Sequence, residues 1–289
     1  TYPDGSMPVI NDSDPANIRN YPSFYKWAFD YFKDPLFARY AGLPAGDGAG
    51  APALKSVAMK GSGIAVLRRG EGTNAVCAMM DFGIHGGHHG HPDKLSIVVF
   101  AMGREWVLDP GRISYSVPEY QTWCRTTAAH NTVAVNGASQ EPTTGELWYF
   151  EDTNTYAATL CTSAGAYPGY VLKRFLVLTD TVLVDVMSVE GSKRVPLDWL
   201  LHVRGEMALD TNSPLMQEVG PVSLATQAKP MGKKNGYEYL KAVQKVSTAD
   251  SLALTFAQPT AGPLRVILTG DRESTVFTGK GIGYRVDDA

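Results

Sequence analysis

The sequence predicts a mainly β protein: a large antiparallel two-layer β-sandwich preceded by a short helical segment. Three observations carry that expectation. From about Ser56 onward, short runs rich in Val, Leu, Phe and Tyr alternate with polar residues and are broken by Gly, Asn and Asp. A tight polar turn at Thr179-Asp180-Thr181 separates two strong runs, so Tyr170 to Val189 reads as a hairpin. Upstream, Phe24, Trp27, Ala28, Tyr31 and Phe32 recur at three- and four-residue steps, the spacing of one helix face.

Taken in order, the helix has Ser23 as its N-cap and stops at Asp34-Pro35. A single amphipathic helix cannot bury itself, so it must lean on the rest of the chain or on helices the chain lacks. Ala41 to Pro52, rich in Gly, Ala and Pro, reads as a linker or surface loop. The chain thus divides into residues 1–45 and 53–289. Strands are expected at Gly63 to Arg68, Ala75 to Asp81, Leu95 to Ala101, Glu105 to Leu108 and Thr132 to Asn136. They continue through the hairpin and then at Tyr237 to Val246, Ser251 to Phe256 and Leu264 to Leu268. No internal repeat interrupts the pattern.

With 289 residues and 44% hydrophobic content, the chain can bury a substantial core. A formal charge of −3 gives no basic field for nucleic acid or an anionic membrane. No run of about twenty apolar residues exists to span a bilayer as a helix. An anionic substrate would therefore be held by local Lys and Arg in a cleft. Cys77, Cys124 and Cys161 show neither metal-ligand spacing nor a paired framework and read as buried small hydrophobes. The opening Thr1-Tyr2-Pro3-Asp4-Gly5 reads as that of a processed or truncated piece.

Histidine is distributed very unevenly: five of the six fall between positions 85 and 130. Four of them, His85, His88, His89 and His91, sit in a Gly-rich loop that offers little apolar surface for packing. In extended backbone His89 and His91 point to one side, so a metal or substrate held there sees both. Asp109 closes the strand Glu105 to Leu108, and His130 stands just before another strand. Two neutral imidazoles and a carboxylate are a common ligand set for zinc. His202, within Trp199-Leu200-Leu201-His202, is expected on a sheet surface rather than as a ligand.

The string His85-Gly86-Gly87-His88-His89-Gly90-His91-Pro92-Asp93-Lys94-Leu95-Ser96, with Gly103-Arg104-Glu105, Leu108-Asp109-Pro110-Gly111, Trp123 and Thr127-Ala128-Ala129-His130-Asn131-Thr132, resembles the heparinase II/III-like polysaccharide lyases. The Asp93-Lys94-Leu95-Ser96 form is most like the oligoalginate lyases of that group. The resemblance implies a C-terminal β-sheet domain joined to an (α/α) toroid, with residues 1–45 as the end of the toroid and the rest of it absent. It implies a divalent metal, zinc above all, on His91, Asp109 and His130. It implies His89 as the active-site histidine, and Tyr115, or Tyr120 in its place, as the tyrosine between the Asp-Pro-Gly turn and the Ala-His-Asn-Thr segment. His88 departs from the family, where Gly is usual.

Such lyases cut uronate polymers by β-elimination, in which the largest demand is stabilising charge on the carboxylate next to C5. Arg125 is the candidate for gripping that carboxylate, since a guanidinium fits it bidentately. His85 and His88 are candidate substrate contacts, and Lys94 either assists Arg125 or caps a strand. The partners implied are an anionic polysaccharide such as alginate or a heparan-type polymer, the helical domain and a second copy in a homodimer; the implied location is periplasmic or secreted. Two rival classes remain. His89-x-His91-x-Asp93 is similar to the metal loop of metallohydrolases, although Lys94 stands where a further His is usual. A non-catalytic carbohydrate-binding sandwich would use the exposed-looking aromatics Trp123, Trp148, Tyr149 and Tyr167.

Overall fold

The computed structural model describes residues 1–44, 54–209, 217–218, 235–249, 251–270 and 273–284. Most of the expected linker, Ala41 to Pro52, lies outside them. Two antiparallel sheets form the body. The first is a five-stranded meander of β1 (Val57–Met59), β2 (Ile64–Arg69), β3 (Val76–Asp81), β4 (Ile97–Ala101) and β5 (Arg104–Val107), in that spatial order. After β6 (Val133–Val135), the second is a four-stranded meander of β7 (Glu146–Asp152), β8 (Ala157–Tyr167), β9 (Tyr170–Leu178) and β10 (Leu183–Gly191). Strand β11 (Leu197–Trp199) pairs with β6. Strands β12 (Glu206–Leu209), β15 (Leu252–Ala257) and β16 (Leu264–Leu268) make one further sheet. Another combines β13 (Gln217–Glu218), β14 (Lys241–Thr248) and β17 (Ser274–Lys280).

The expected hairpin is β9 and β10, paired without a break from Leu178↔Leu183 to Tyr170↔Gly191. Alternate residues of β9, Leu172, Arg174, Leu176 and Leu178, are fully buried, as a period of two requires of a strand with one covered face. Their apolar members join Leu67, Met80 and Ile97 of the first sheet, and Leu95 of the loop before β4, in one core between the layers. Arg174 is the exception in kind. Its guanidinium donates to both oxygens of Asp185, at 2.8 and 2.5 Å, and to the carbonyls of Leu95 and Asn131. It thereby ties the second sheet to the two loops that carry the histidines.

Strand β3, Val-Cys-Ala-Met-Met-Asp, shows no alternation because its sheet is covered on both faces. The outer cover is the N-terminal segment: Tyr2 stacks on Phe100 at 5.0 Å between ring centroids, and Ile10 joins Val66, Met79 and Val98. This strap delivers Asn11, Asp12 and Asp14 to the mouth of the sandwich.

The helical stretch is two helices, α1 (Pro22–Phe32) and α2 (Pro35–Tyr40). Helix α1 starts one residue before the expected cap: Pro22 fills its first turn and Ser23 lies inside the helix. It ends as expected, with Asp34 instead capping α2 by accepting from Leu36 N–H at 2.8 Å. Only Ala28 of α1 is buried, while Phe24, Trp27, Tyr31 and Phe32 are exposed. All three cysteines are free and buried. Trp123 and Tyr167 are also buried, so of the aromatics expected at the surface only Trp148 and Tyr149 are there.

Candidate active site and metal centre

The histidine-rich loop joins β3 to β4, Asp109 follows β5, and His130 precedes β6. Strands β3, β4 and β5 of the first sheet, together with β6 of the two-stranded β6–β11 sheet, thus bring residues far apart in sequence to one end of the sandwich. Two glycines shape the loops. A Cβ on Gly90 would sit 1.4 Å from the carbonyl oxygen of His85, so only glycine permits that close approach between His89 and His91. Gly111, at φ +58°, turns the chain after Asp109 and lies against the strap, where a Cβ would be 2.8 Å from the Ser13 carbonyl oxygen.

His91, Asp109 and His130 are buried, and one ligand atom from each lies within 4.8 Å of the others. The surrounding hydrogen bonds decide which atoms face inward. The Nε2 of His130 lies 2.9 Å from the Cys124 carbonyl, which can only accept, so that nitrogen carries a hydrogen. Its Nδ1 faces Asp109 Oδ2 at 2.6 Å, while Asp109 Oδ1 accepts from Gly111 N–H at 3.1 Å. Burial works against a charge on His130, but the Asp109 carboxylate outweighs it and pushes the ring up to about 9. His91 Nε2 lies 3.0 Å from Asp12 Oδ1, again an acceptor, which leaves His91 Nδ1 as a bare lone pair. That Nδ1 is buried and has no hydrogen-bond partner among the described residues. Burial, then the neighbouring His130, holds His91 below its ordinary range and therefore neutral. An orphaned nitrogen, a second nitrogen and a carboxylate oxygen converging where positive charge is wanted fit a divalent cation.

Beside this cluster stands a second one, organised by a residue that sequence reasoning did not single out. Asp12, its side chain only 5% exposed, accepts through Oδ2 from His89 Nδ1 at 2.8 Å, Tyr120 OH at 2.9 Å and Tyr115 OH at 3.1 Å. Burial alone would push its carboxyl up, yet the hydrogen bonds from His89, Tyr120 and His91 hold it below the usual range. Burial and the same carboxylate keep the Tyr115 and Tyr120 phenols above their ordinary value, hence protonated. The His89 side chain is 74% exposed and points its Nε2 edge away from these partners. Both candidate tyrosines are therefore at the site, edge to face at 5.0 Å.

The remaining candidates are placed differently. Arg125 is half-buried and donates to the His88 carbonyl at 3.0 Å, fixing the loop, while its guanidinium lies 5.9 Å from the centre of the Tyr120 ring. His88 is exposed and His85 half-buried, its ring lowered by burial and by Lys94. Lys94 is neither a strand cap nor a carboxylate grip for substrate: it is buried between Asp81 and Asp93, donating to both. Asp93 is consumed by that pair rather than by the His91 cluster, which removes the metallohydrolase-like use of the loop. His202 lies outside a strand and is not a surface residue. It is half-buried edge to face against Trp123, its Nε2 2.9 Å from the Ala128 carbonyl, and burial brings it down to about 4.

The loops at one end of this antiparallel sandwich thus bring a buried His/Asp/His cluster beside an exposed histidine and two tyrosines. Residues 51–274 match the family described as heparinase II/III-like, C-terminal, and the chain belongs to that family. It is 28% identical over 201 residues to an exo-oligoalginate lyase of Saccharophagus degradans, which covers 61% of this chain and 26% of that protein. It is 27% identical over 203 residues to an alginate lyase of Stenotrophomonas maltophilia, covering 62% and 26% respectively. The chain thus spans about a quarter of the length of these curated relatives. Among solved structures, a heparinase III superimposes with a TM-score of 0.67 at 17% identity, over 96% of this chain and 43% of that one. The heparan sulfate lyase HepC from Pedobacter heparinus gives 0.67 at 16% identity, over 96% and 42%. At such identities the likeness is one of fold.

Proposed function

We propose that this chain supplies the metal centre and part of the active site of a polysaccharide lyase that cleaves uronate-containing polysaccharide by β-elimination. The observation that carries the proposal is the exposed His89 ring, held through Nδ1 by a buried carboxylate that also gathers two protonated tyrosines. With Nδ1 donating to Asp12, His89 presents the Nε2 lone pair as base for the proton on C5 of the uronate. The C5–H electrons form the C4–C5 double bond, the C4–O4 bond breaks, and the Tyr115 phenol, or that of Tyr120, gives its proton to O4. Arg125, which reaches across to the histidine-rich loop at the His88 carbonyl, would with His85 and His88 offset the substrate carboxylate, whose charge otherwise forbids loss of the C5 proton. His91, Asp109 and His130 would hold a divalent ion, zinc best suiting two imidazoles and a carboxylate, and the ion would supply fixed positive charge that pins the three loops together.

The relatives named as lyases are far longer, and we assign the rest of the cleft to a helical domain of which residues 1–45 are the end. Helix α1, with its uncovered aromatic face, supports that assignment. A periplasmic or secreted location belongs to the same proposal, because polymeric uronate is met outside the cytoplasm. The test is ultraviolet absorbance of the unsaturated product, using the full-length gene product on alginate and heparan-type oligosaccharides, with His89→Ala beside it. Turnover lost in the variant supports the assignment. Saturable sugar binding with no absorbance rise on any uronate polymer would move the function to carbohydrate binding, for which Trp148 and Tyr149 are the exposed aromatics.

A further inference from the structure

We infer that Asp12 is a positioning residue that couples the metal centre to the catalytic histidine, one carboxylate fixing the tautomers of His91 and His89 together. The inference rests on the lyase assignment above and assigns a role to a residue outside the histidine-rich loop.

The geometry leaves little choice. Asp12 Oδ1 takes the hydrogen on His91 Nε2 at 3.0 Å, which obliges His91 to offer Nδ1 as its lone pair toward the Asp109 and His130 cluster. Asp12 Oδ2 takes the hydrogen on His89 Nδ1 at 2.8 Å, which obliges His89 to offer Nε2 outward. A metal-ligating histidine whose other nitrogen donates to a carboxylate is the usual outer arrangement of such sites. Here that carboxylate has a second imidazole on its other oxygen. Asp12 is itself held. Asn11 accepts the His91 backbone N–H at 3.1 Å, Asp14 forms an ion pair with Arg112, and Arg112 lies 4.5 Å from the centre of the Tyr115 ring.

Asp12→Asn is the informative change because it keeps shape and removes one acceptor. If the amide NH2 faces His89, Nδ1 must accept, the ring proton moves to Nε2, and the lone pair for C5 is lost. If it faces His91, the proton moves to Nδ1 and the lone pair for the cation is lost. Either orientation breaks one of the two functions.

The experiment uses the full-length gene product. Zn2+ affinity is measured by competition with a chromophoric chelator, kcat and KM by absorbance, and the histidine tautomers by 15N NMR. For Asp12→Asn we expect either Zn2+ affinity lower by about 10–100-fold, or kcat lower by about a hundredfold or more at little-changed KM with Zn2+ still bound. Zn2+ affinity and kcat both within about twofold of wild type would overturn the inference. Should the variant not fold, the wild-type spectrum decides: a hydrogen on His89 Nδ1 supports the coupling, and one on Nε2 overturns it. His89→Ala separates the two levels. A dead His89→Ala beside a normal Asp12→Asn sinks only the role of Asp12, whereas an active His89→Ala sinks the lyase assignment beneath it.

Discussion

Replacing Lys94 with methionine removes the cation from a buried triad while keeping most of the side-chain volume. In the wild type, Lys94 is 1% exposed and its ammonium donates to Asp93 at 3.1 Å and to Asp81. Burial, followed by the charge on Asp93, already pushes Asp81 up to about 7. Without the ammonium, two buried carboxylates face each other with nothing to neutralise them. Breaking a buried ion pair from one side costs about 3–5 kcal/mol, against under about 1.5 kcal/mol for a volume-conserving swap in a core. We therefore expect Lys94→Met to lose about 3–5 kcal/mol at pH 7, a large share of the stability of an ordinary domain. The loss should shrink as the pH falls and the carboxylates protonate. Urea unfolding followed by tryptophan fluorescence measures it as a lower midpoint at unchanged slope. Adding Asp81→Asn should recover part of the loss. A destabilisation under about 1 kcal/mol at pH 7 would refute the claim that this lysine neutralises the pair.

Glu105, which accepts from Tyr2 at 2.8 Å and from Tyr284, is pushed by burial from 4.5 up to about 7. Its protonated form is favoured by the fold, so its contribution is fully present below 4.5 and is lost as the pH rises through about 7. Glu105→Gln should accordingly gain about 3 kcal/mol over wild type at pH 8 and almost nothing at pH 4; equal gains at both would contradict it. Gly90→Ala, whose methyl would meet the His85 carbonyl oxygen at 1.4 Å, should weaken Zn2+ binding at least about tenfold by moving His89 and His91 apart. Unaltered affinity would show that the loop does not set the cation geometry. Zn2+ at about a thousand times its Kd should add about 4 kcal/mol to stability, removable with EDTA. A melting temperature indifferent to both additions would speak against a bound ion.

The metal candidates were legible because histidine in a glycine-rich loop has no packing role, so His91 stood out, and Asp109 and His130 each flank a strand of recognisable pattern. Asp12 was not, because nothing local marks it: its partners lie 77 to 108 residues away, and only the strap across the sheet joins them. The β9–β10 hairpin was visible in its alternation and its turn. Its neighbour β8, Ala-Ala-Thr-Leu-Cys-Thr-Ser-Ala-Gly-Ala-Tyr, carries no such signal although it is the longest strand described. Small residues make no apolar pattern, yet they suit an inner strand between β7 and β9. The pairing of Lys94 is also invisible locally: its neighbour Asp93 is adjacent in sequence, but only the partner on β3, Asp81, shows why the ammonium is inside rather than at a strand cap or a substrate grip. Likewise Trp123 and Tyr167 looked exposed because their cover comes from distant segments.

Since Asp12 belongs to the strap while its donors come from loops that follow it by up to 108 positions, no short stretch of chain contains the centre. A ribosome must release well over a hundred residues before that carboxylate can meet Tyr120. Contacts of such separation form slowly, after local pairing has reduced the search. The end of the molecule that holds this cluster is thus expected to be among the last parts to mature, its hydrogen bonds forming after β structure appears during refolding.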